Sequence, residues 1–295
     1  MPCRLDDALG RTIELARPPE RIVSLVASHT ETLFALGLGD RVVGVTRYCV
    51  VPAARTRDLP KVGGTKRLDV DRIRELCPDL VVANKEENER ADVERLLAEA
   101  FPVFVTFPRT VAEGVLTIRD LGRLTGREGE ADEIVAPIEA RIRAADANRP
   151  ARRRVFCPVW RRPWVSANRD TFLHDMIEIS GGVNVCGNLP DRYPRLSAGE
   201  IANLSPNVVL LPDEPYPFSD RDAMEIAERI LPGFDRSRVH LVSGQLLHGY
   251  GPRMGEGIDR LRRTLGGDRS TSRSTQPPPA APPGASGRPP GPEGR

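Results

Sequence analysis

Apolar residues along this chain gather in short continuous runs separated by longer amphipathic stretches. Residues 22–27 (IVSLVA), 42–45 (VVGV), 80–83 (LVVA) and 103–106 (VFVT) are the runs of the first half. They do not alternate apolar with polar, so they predict strands buried on both faces of a parallel sheet rather than half-solvated ones. Between them, the spacing of apolar positions predicts helices over 30–36, 70–76 and 91–100. The second of these stops because Pro78 disfavours helical backbone in the residue before it. Thr110 caps a helix that runs to Leu124. After Gly126, residues 127–147 read as one long helix whose Ala131, Ile134, Val135, Ile138 and Ile142 share a face, with a kink expected at Pro137. The pattern then restarts, with strands at 154–159, 208–212 and 239–242. Helices follow at 172–179, 198–204, 224–230 and 252–265, the last with Pro252 in its first turn.

Two βα modules therefore flank one long helix. The boundaries read as an N-terminal α/β lobe over 1–126, a connecting helix over 127–149 and a C-terminal α/β lobe over 150–266. Residues 267–295 are Pro, Gly, Ser and Arg with almost no apolar side chains. Such a stretch buries too little surface to offset its ordering entropy and is expected to be disordered.

Composition narrows the function classes. Forty-three basic residues are nearly balanced by 41 acidic ones, a net charge of +2, so no dedicated nucleic-acid surface is expected. The five cysteines (Cys3, Cys49, Cys77, Cys157, Cys186) are scattered and form no CxxC, which argues against a disulfide framework or a zinc knuckle. Cys77 and Cys157 lie beside apolar runs and are expected to be buried thiols. No run of 18 apolar residues exists, and the first twenty residues carry no apolar signal core. As written, the chain is expected in the cytoplasm, and outside it if the true start lies upstream.

The segment 21–44 (RIVSLVASHTETLFALGLGDRVVG), then Val62-Gly63-Gly64, then 69–83 (DVDRIRELCPDLVVA), resembles the helical-backbone periplasmic binding proteins. These are receptors of ABC importers for cobalamin, haem and ferric siderophores. The resemblance continues in order through FCPVWRRPW (156–164), GGVNV (181–185), YPRLS (193–197), PNVVLL (206–211) and GPRM (251–254). SHTE after the first strand brings it closest to the cobalamin branch. It implies an α/β fold of two Rossmann-like lobes with mainly parallel sheets, joined by one long rigid helix. It also implies a monomer that holds a small metal chelate at the carboxyl ends of its strands and has no prosthetic group of its own.

Candidate ligand contacts follow from residue type and place. His29 stands in the strand-to-helix turn, where imidazole suits cobalt or iron. Tyr48 aligns by motif with an aromatic of the corrin pocket, whereas Thr65 and Lys66 stand where those receptors often carry tryptophan. Trp160 and Trp164, the chain's two tryptophans, bracket Arg161 in one loop. Stacking and bidentate pairing there suit a carboxylate-bearing or amide-rich macrocycle. Tyr193, His248 and Tyr250 complete the set, with His29 and His248 as axial contacts to the ligand's own metal. The run NKEENE (84–89) reads as a solvated helix start. Asp71 and Glu200 match, approximately, the two acids that dock such receptors onto permease arginines; plain first-turn acids favoured by the helix dipole are the alternative.

Two other functions compete with an importer receptor. One is a cytoplasmic binder of corrinoid, haem or chelate. The other is a chelatase-like enzyme, but GxSxG, HExxH, a P-loop and GxGxxG are all missing, so no enzyme is expected.

Overall fold

The computed structural model describes residues 3–147 and 152–266. The tail expected to be disordered lies outside these. The strands are β1 (Cys3–Asp6), β2 (Thr12–Leu15), β3 (Ile22–Ser24), β4 (Val42–Val45), β5 (Gly63–Gly64), β6 (Arg67–Leu68), β7 (Leu80–Asn84), β8 (Val103–Thr106), β9 (Arg153–Phe156), β10 (Trp164–Val165), β11 (Gly182–Asn184), β12 (Arg195–Leu196), β13 (Val208–Pro212) and β14 (Val239–Val242). The helices are α1 (Ala27–Ala35), α2 (Ala53–Thr56), α3 (Val70–Glu75), α4 (Arg90–Ala98), α5 (Val111–Thr125), α6 (Glu128–Ala147), α7 (Phe172–Ile179), α8 (Ala198–Asn203), α9 (Asp220–Glu225), α10 (Gly244–His248) and α11 (Met254–Gly266).

The chain divides into two compact units. Unit 1 holds the residues up to Ala140 together with Gly249–Arg253; unit 2 holds Arg141–His248 and the chain from Met254 onward. The division falls inside α6. Each unit is built on a four-stranded parallel sheet, ordered β4-β3-β7-β8 in unit 1 and β11-β9-β13-β14 in unit 2. In unit 1 the chain steps from β3 outward to β4, then crosses back to β7. In unit 2 it steps from β9 outward to β11, then crosses back to β13. The strand order therefore reverses between β3 and β7, and again between β9 and β13. The crevice beyond the carboxyl ends of such strands is where open α/β sheets bind ligands.

Both central pairs are buried on both faces, as their continuous apolar runs predict. Ile22, Val23, Leu80, Val81 and Val82 in unit 1 have no accessible surface, nor have Val155, Phe156, Val209, Leu210 and Leu211 in unit 2. The units also share a sequence device. Residues 67–80 (RLDVDRIRELCPDL) and 195–208 (RLSAGEIANLSPNV) run in parallel. In each, a polar residue caps a short helix, Asp69 for α3 and Ser197 for α8. Each helix is stopped by a left-handed residue before proline, Cys77 (φ 46°) and Ser205 (φ 45°). An arginine at the start of the central strand then closes the helix end. Arg21 donates to the Leu76 carbonyl (2.7 Å) and Arg154 to that of Leu204 (2.6 Å).

Several expected boundaries move for local reasons. Strand β9 ends at Phe156 rather than 159, because Pro158 has no N–H for the ladder. Helix α9 starts at Asp220, capped by Ser219, which forms a capping box with Asp222, and a π-helical turn follows over Ile226–Ile230. Cys77 is exposed, not buried: its left-handed backbone aims Sγ at the Arg74 carbonyl 3.5 Å away. Cys157 is buried as expected, and all five cysteines are free thiols. The β1–β2 hairpin, too short to signal itself, buries only Leu5, Ile13 and Leu15. Among the described residues, no helix is long and apolar enough to cross a membrane.

Candidate functional site

Unit 1 places a polar network at its strand reversal. Helix α1 begins at Ala27, three residues earlier than the sequence pattern predicts, with Val26 as a cap lacking any side-chain bond. Ser28-His29-Thr30-Glu31 therefore lies inside the first helical turns rather than in an open turn. His29 has no accessible surface. Its Nε2 shares a 2.8 Å hydrogen bond with the Thr106 hydroxyl at the end of β8. That hydroxyl also lies 3.3 Å from the Ala83 carbonyl and accepts from Asn84 Nδ2 at 3.2 Å. With the hydroxyl donating to Ala83, Nε2 carries the imidazole proton and Nδ1 is left as a buried lone pair without a partner. Burial pushes the His29 pKa down to about 3, so the ring is neutral. His29 is thus a core imidazole in this structure, not an open axial ligand as expected from sequence.

The run 84–89 is likewise more than a solvated helix start. Asn84 and Asn88 are buried, at 2% and 3% accessible. Asn84 Oδ1 accepts from the amides of Glu86 (2.8 Å) and Glu87 (3.0 Å), and Asn88 ties the loop to the carbonyls of Leu25 and Thr65. Glu87 is thereby held against Tyr250, whose hydroxyl donates to it at 2.5 Å. Enclosure of the carboxyl raises the Glu87 pKa to about 7, although the Tyr250 bond pulls the other way. Tyr250 is 6% accessible and meets the His29 ring edge-on, centroids 5.3 Å apart. Its neighbour Arg253 pairs with both oxygens of Glu31 at 2.7 Å. Gly251 lets this segment lie close, since a Cβ there would stand 2.9 Å from the Ser28 carbonyl. Tyr48 is 45% exposed and leans over Gly64.

Unit 2 places aromatic rings at the equivalent reversal. Trp160 stands four residues beyond β9 and Tyr216 four beyond β13, so the two rise from adjacent central strands. They meet edge-to-face, centroids 5.7 Å apart at 73°. Tyr216 tilts onto Phe218 (4.7 Å), which stacks in parallel on Trp164 (6.0 Å, 3°). Trp164 and Phe218 are buried, whereas Trp160 and Tyr216 keep part of their surface open. Arg161 lies over the Trp164 ring and is paired to both Asp222 and Glu225 of α9. Its guanidinium is engaged inside unit 2, so the expectation of a direct ligand contact gives way to a structural one.

The remaining candidates are Tyr193, His248, Asp71 and Glu200. Tyr193 is half-buried, with the Arg192 guanidinium over its ring. His248 ends α10; its Nε2 is buried without a hydrogen-bond partner, and burial lowers its pKa to about 4. Asp71 is exposed in the first turn of α3, held by Arg74 (2.7 Å) and Arg95 (3.0 Å), which keep its carboxyl below the usual range. Glu200 is exposed in the first turn of α8, and its carboxylate accepts from the Ser197 amide (2.8 Å) and hydroxyl (2.7 Å). In the parallel segments, Asp71 aligns with Gly199 and Glu200 with Arg72, so the two acids are one position out of step. Among the described residues, no three His, Cys, Asp or Glu side chains gather to hold a metal ion.

The family profile described as periplasmic binding protein matches residues 22–232, from the first central strand of unit 1 to the end of the π-helical turn of unit 2. The chain belongs to this family. Its relatives include an uncharacterized ABC transporter substrate-binding lipoprotein, YvrC, of Bacillus subtilis, 27% identical over 275 residues and covering 90% of this chain and 85% of that one. A cobalamin-binding protein of Halobacterium salinarum is 34% identical over 213 residues, which are 69% of this chain and 57% of that protein. The chain thus spans little more than half of that relative. The apo haem-binding protein RhuT of Roseiflexus sp. RS-1 superimposes with a TM-score of 0.71 at 27% identity, over 83% of this chain and 97% of that one. The vitamin B12-binding protein BtuF of Vibrio cholerae shares the fold, with a TM-score of 0.72 at 21% identity over 84% of this chain and 97% of that one.

Proposed function

We propose that this protein is the solute-binding component of an ABC importer and takes up cobalamin or a related metal chelate. The observation that carries the reading is the pair of part-open aromatic rings, Trp160 and Tyr216, at the strand reversal of a chain in the periplasmic binding protein family. Aromatic faces suit a macrocycle through dispersion and apolar burial. Its relatives support it: a cobalamin-binding protein, and an uncharacterized ABC transporter substrate-binding lipoprotein. The metal arrives with the ligand, and the protein binds without turnover. Tyr48, Trp160 and Tyr193 keep open surface and are the proposed direct contacts; Trp164, Tyr250, His29 and His248 back them from within their own units. Asp71 and Glu200, both exposed, are the proposed permease contacts.

Titration of the purified chain with cyanocobalamin, haemin and ferrichrome tests this, followed by calorimetry and visible absorption. At least one should bind with a dissociation constant of about 1 μM or tighter, near −8 kcal/mol. Absence of binding by all three would remove the receptor reading.

A further inference from the structure

Tyr216 lies in a proline-flanked stretch, EPYPFS (214–219), that offers no obvious motif. The structure gives it a definite place. It follows β13 at the strand reversal, meets Trp160 edge-to-face and backs onto Phe218. The aromatic row has an inner half, Trp164 (8%) and Phe218 (6%), and an outer half, Trp160 and Tyr216, with surface left open. The outer rings leave aromatic surface at the strand reversal, the place where open α/β sheets bind ligands. The loop that carries Trp160 and Trp164 is also tied down unusually firmly. Arg161, 9% accessible, reaches Asp222 and Glu225 together, and Asp222 is itself fixed by accepting from the Ser219 amide (2.8 Å) and hydroxyl (2.7 Å). A buried pair with Asp222 and a part-buried one with Glu225, on one guanidinium, fix the loop's pitch against α9.

We propose that Tyr216 completes the ligand face of unit 2 beside Trp160, that Arg161 acts as the positioning residue for this face, and that the face selects a conjugated planar ring over a chelate that lacks one. The inference rests on the receptor reading and narrows its ligand class. Two rings set at 73° present one face and one edge. A flat conjugated macrocycle can stack on the first and meet the second. A hydroxamate chelate, with saturated linkers around its iron, offers no such plane.

The test compares haemin, cyanocobalamin and ferrichrome on the unaltered chain and on Tyr216→Leu, Tyr216→Phe and Glu225→Gln. Tyr216→Leu should weaken the planar ligand that the unaltered chain binds by roughly tenfold, the worth of one good aromatic contact. Tyr216→Phe, which keeps the ring, should restore it. Glu225→Gln touches no face residue and loosens only the Arg161 clamp, so it should weaken planar ligands and move tryptophan emission to longer wavelength. This variant keeps the test open if Tyr216→Leu does not fold. Ferrichrome binding, where present, should not respond to any of the three. Equal weakening of planar and non-planar ligands, no response to Tyr216→Leu in a folded protein, or a chain that binds ferrichrome alone would overturn the inference while leaving the receptor reading in place. A chain that binds none of the three would instead remove the receptor reading.

Discussion

The two units are built on one plan and carry opposite chemistry at the same point of it. Both reverse their strand order between two central parallel strands, and both close the preceding short helix with an arginine from the first of those strands. Beyond the reversal, unit 1 places His29, Asn84, Glu87 and Tyr250, a mostly enclosed polar network. Unit 2 places Trp160, Tyr216, Phe218 and Trp164. The segments after β7 and β13 show the divergence: Asn88 in unit 1 aligns with Tyr216 in unit 2. Asn88 uses its amide to tie a loop down, whereas Tyr216 leaves an aromatic ring partly open. A shared backbone plan thus specifies where a ligand face can form, and the side chains set on that plan decide its kind.

The contrast extends to the ion pairs and breaks most easily there. Arg161 of unit 2 is 9% accessible and neutralises two carboxylates, of which Asp222 is 3% accessible. Removing one member of a buried pair leaves uncompensated charge, so Arg161→Met should cost about 4 kcal/mol by denaturant titration. In unit 1 the Arg253 side chain is 35% exposed in its pair with Glu31. Its partner Glu31 is 13% exposed and the pairing is bidentate, so Arg253→Met should cost about 1–2 kcal/mol, less than loss of the buried clamp. Equal losses would erase the distinction between a buried clamp and a part-buried pair.

Next in size is a dependence on pH carried by Glu87 of unit 1. Glu87 titrates near 7 in the folded protein against 4.5 for the free side chain. A carboxyl raised in this way holds its proton more tightly when folded. Its contribution is complete below about pH 4.5 and is lost as pH rises through 7. Relative to Glu87→Gln, which mimics the protonated acid, the unaltered chain should lose up to about 3 kcal/mol between pH 5 and 7.5. The buried imidazoles act oppositely. His29 and His248, lowered to about 3 and about 4, withdraw stability as pH falls below 6.5. Subtracting the Glu87→Gln profile cancels them, because both proteins carry them. A flat difference would show that the Glu87 carboxyl is not enclosed.

How far this contrast was readable from the chain depends on the range of the interactions. The sheet strands were legible because Val208–Pro212 and Val103–Thr106 are unbroken apolar runs, and doubly buried strands need no more than that. Trp160 and Trp164 drew notice as the two tryptophans of the chain, four positions apart with two arginines between. Tyr216 did not, because prolines on both sides make its stretch read as an ordinary loop. Glu87 looked solvated because its partner Tyr250 is 163 residues away. His29 looked like a turn residue because α1 starts on Ala27 with no capping side chain to mark it. Local pattern announces what is buried along a strand; it is silent on which distant side chain encloses a carboxylate.

A smaller effect sharpens the polar side of the comparison. Thr106 serves His29 and Asn84 together through one hydroxyl. Thr106→Val keeps the shape at the end of β8 and leaves two buried donors without an acceptor. Thermal or denaturant unfolding should register about 2 kcal/mol, the desolvation of groups left unpaired rather than lost packing. Adding His29→Leu should recover part of that loss, since the orphaned Nε2 donor is then gone and Nδ1 had no partner to lose. If the double variant were no more stable than Thr106→Val alone, the network would not be coupled through this hydroxyl.

The smallest effect separates the two acids proposed to meet a permease. Glu200 closes a capping box with Ser197, so Ser197→Ala should lower the stability of unit 2 by about 1 kcal/mol. Asp71 sits one place out of step with it and is held by Arg74 and Arg95 on an exposed face. Asp71→Asn should leave the melting temperature unchanged, because exposed pairs contribute little. Binding to the cognate permease in vesicles then distinguishes the acids by a different measure. Glu200 has no arginine partner among the described residues, and its carboxylate needs only to turn from Ser197 to meet a cation. Asp71 must first give up two guanidinium bonds. Glu200→Gln should therefore weaken docking more than Asp71→Asn does, and the reverse order would mean that the α3 ion pairs open freely when the permease approaches.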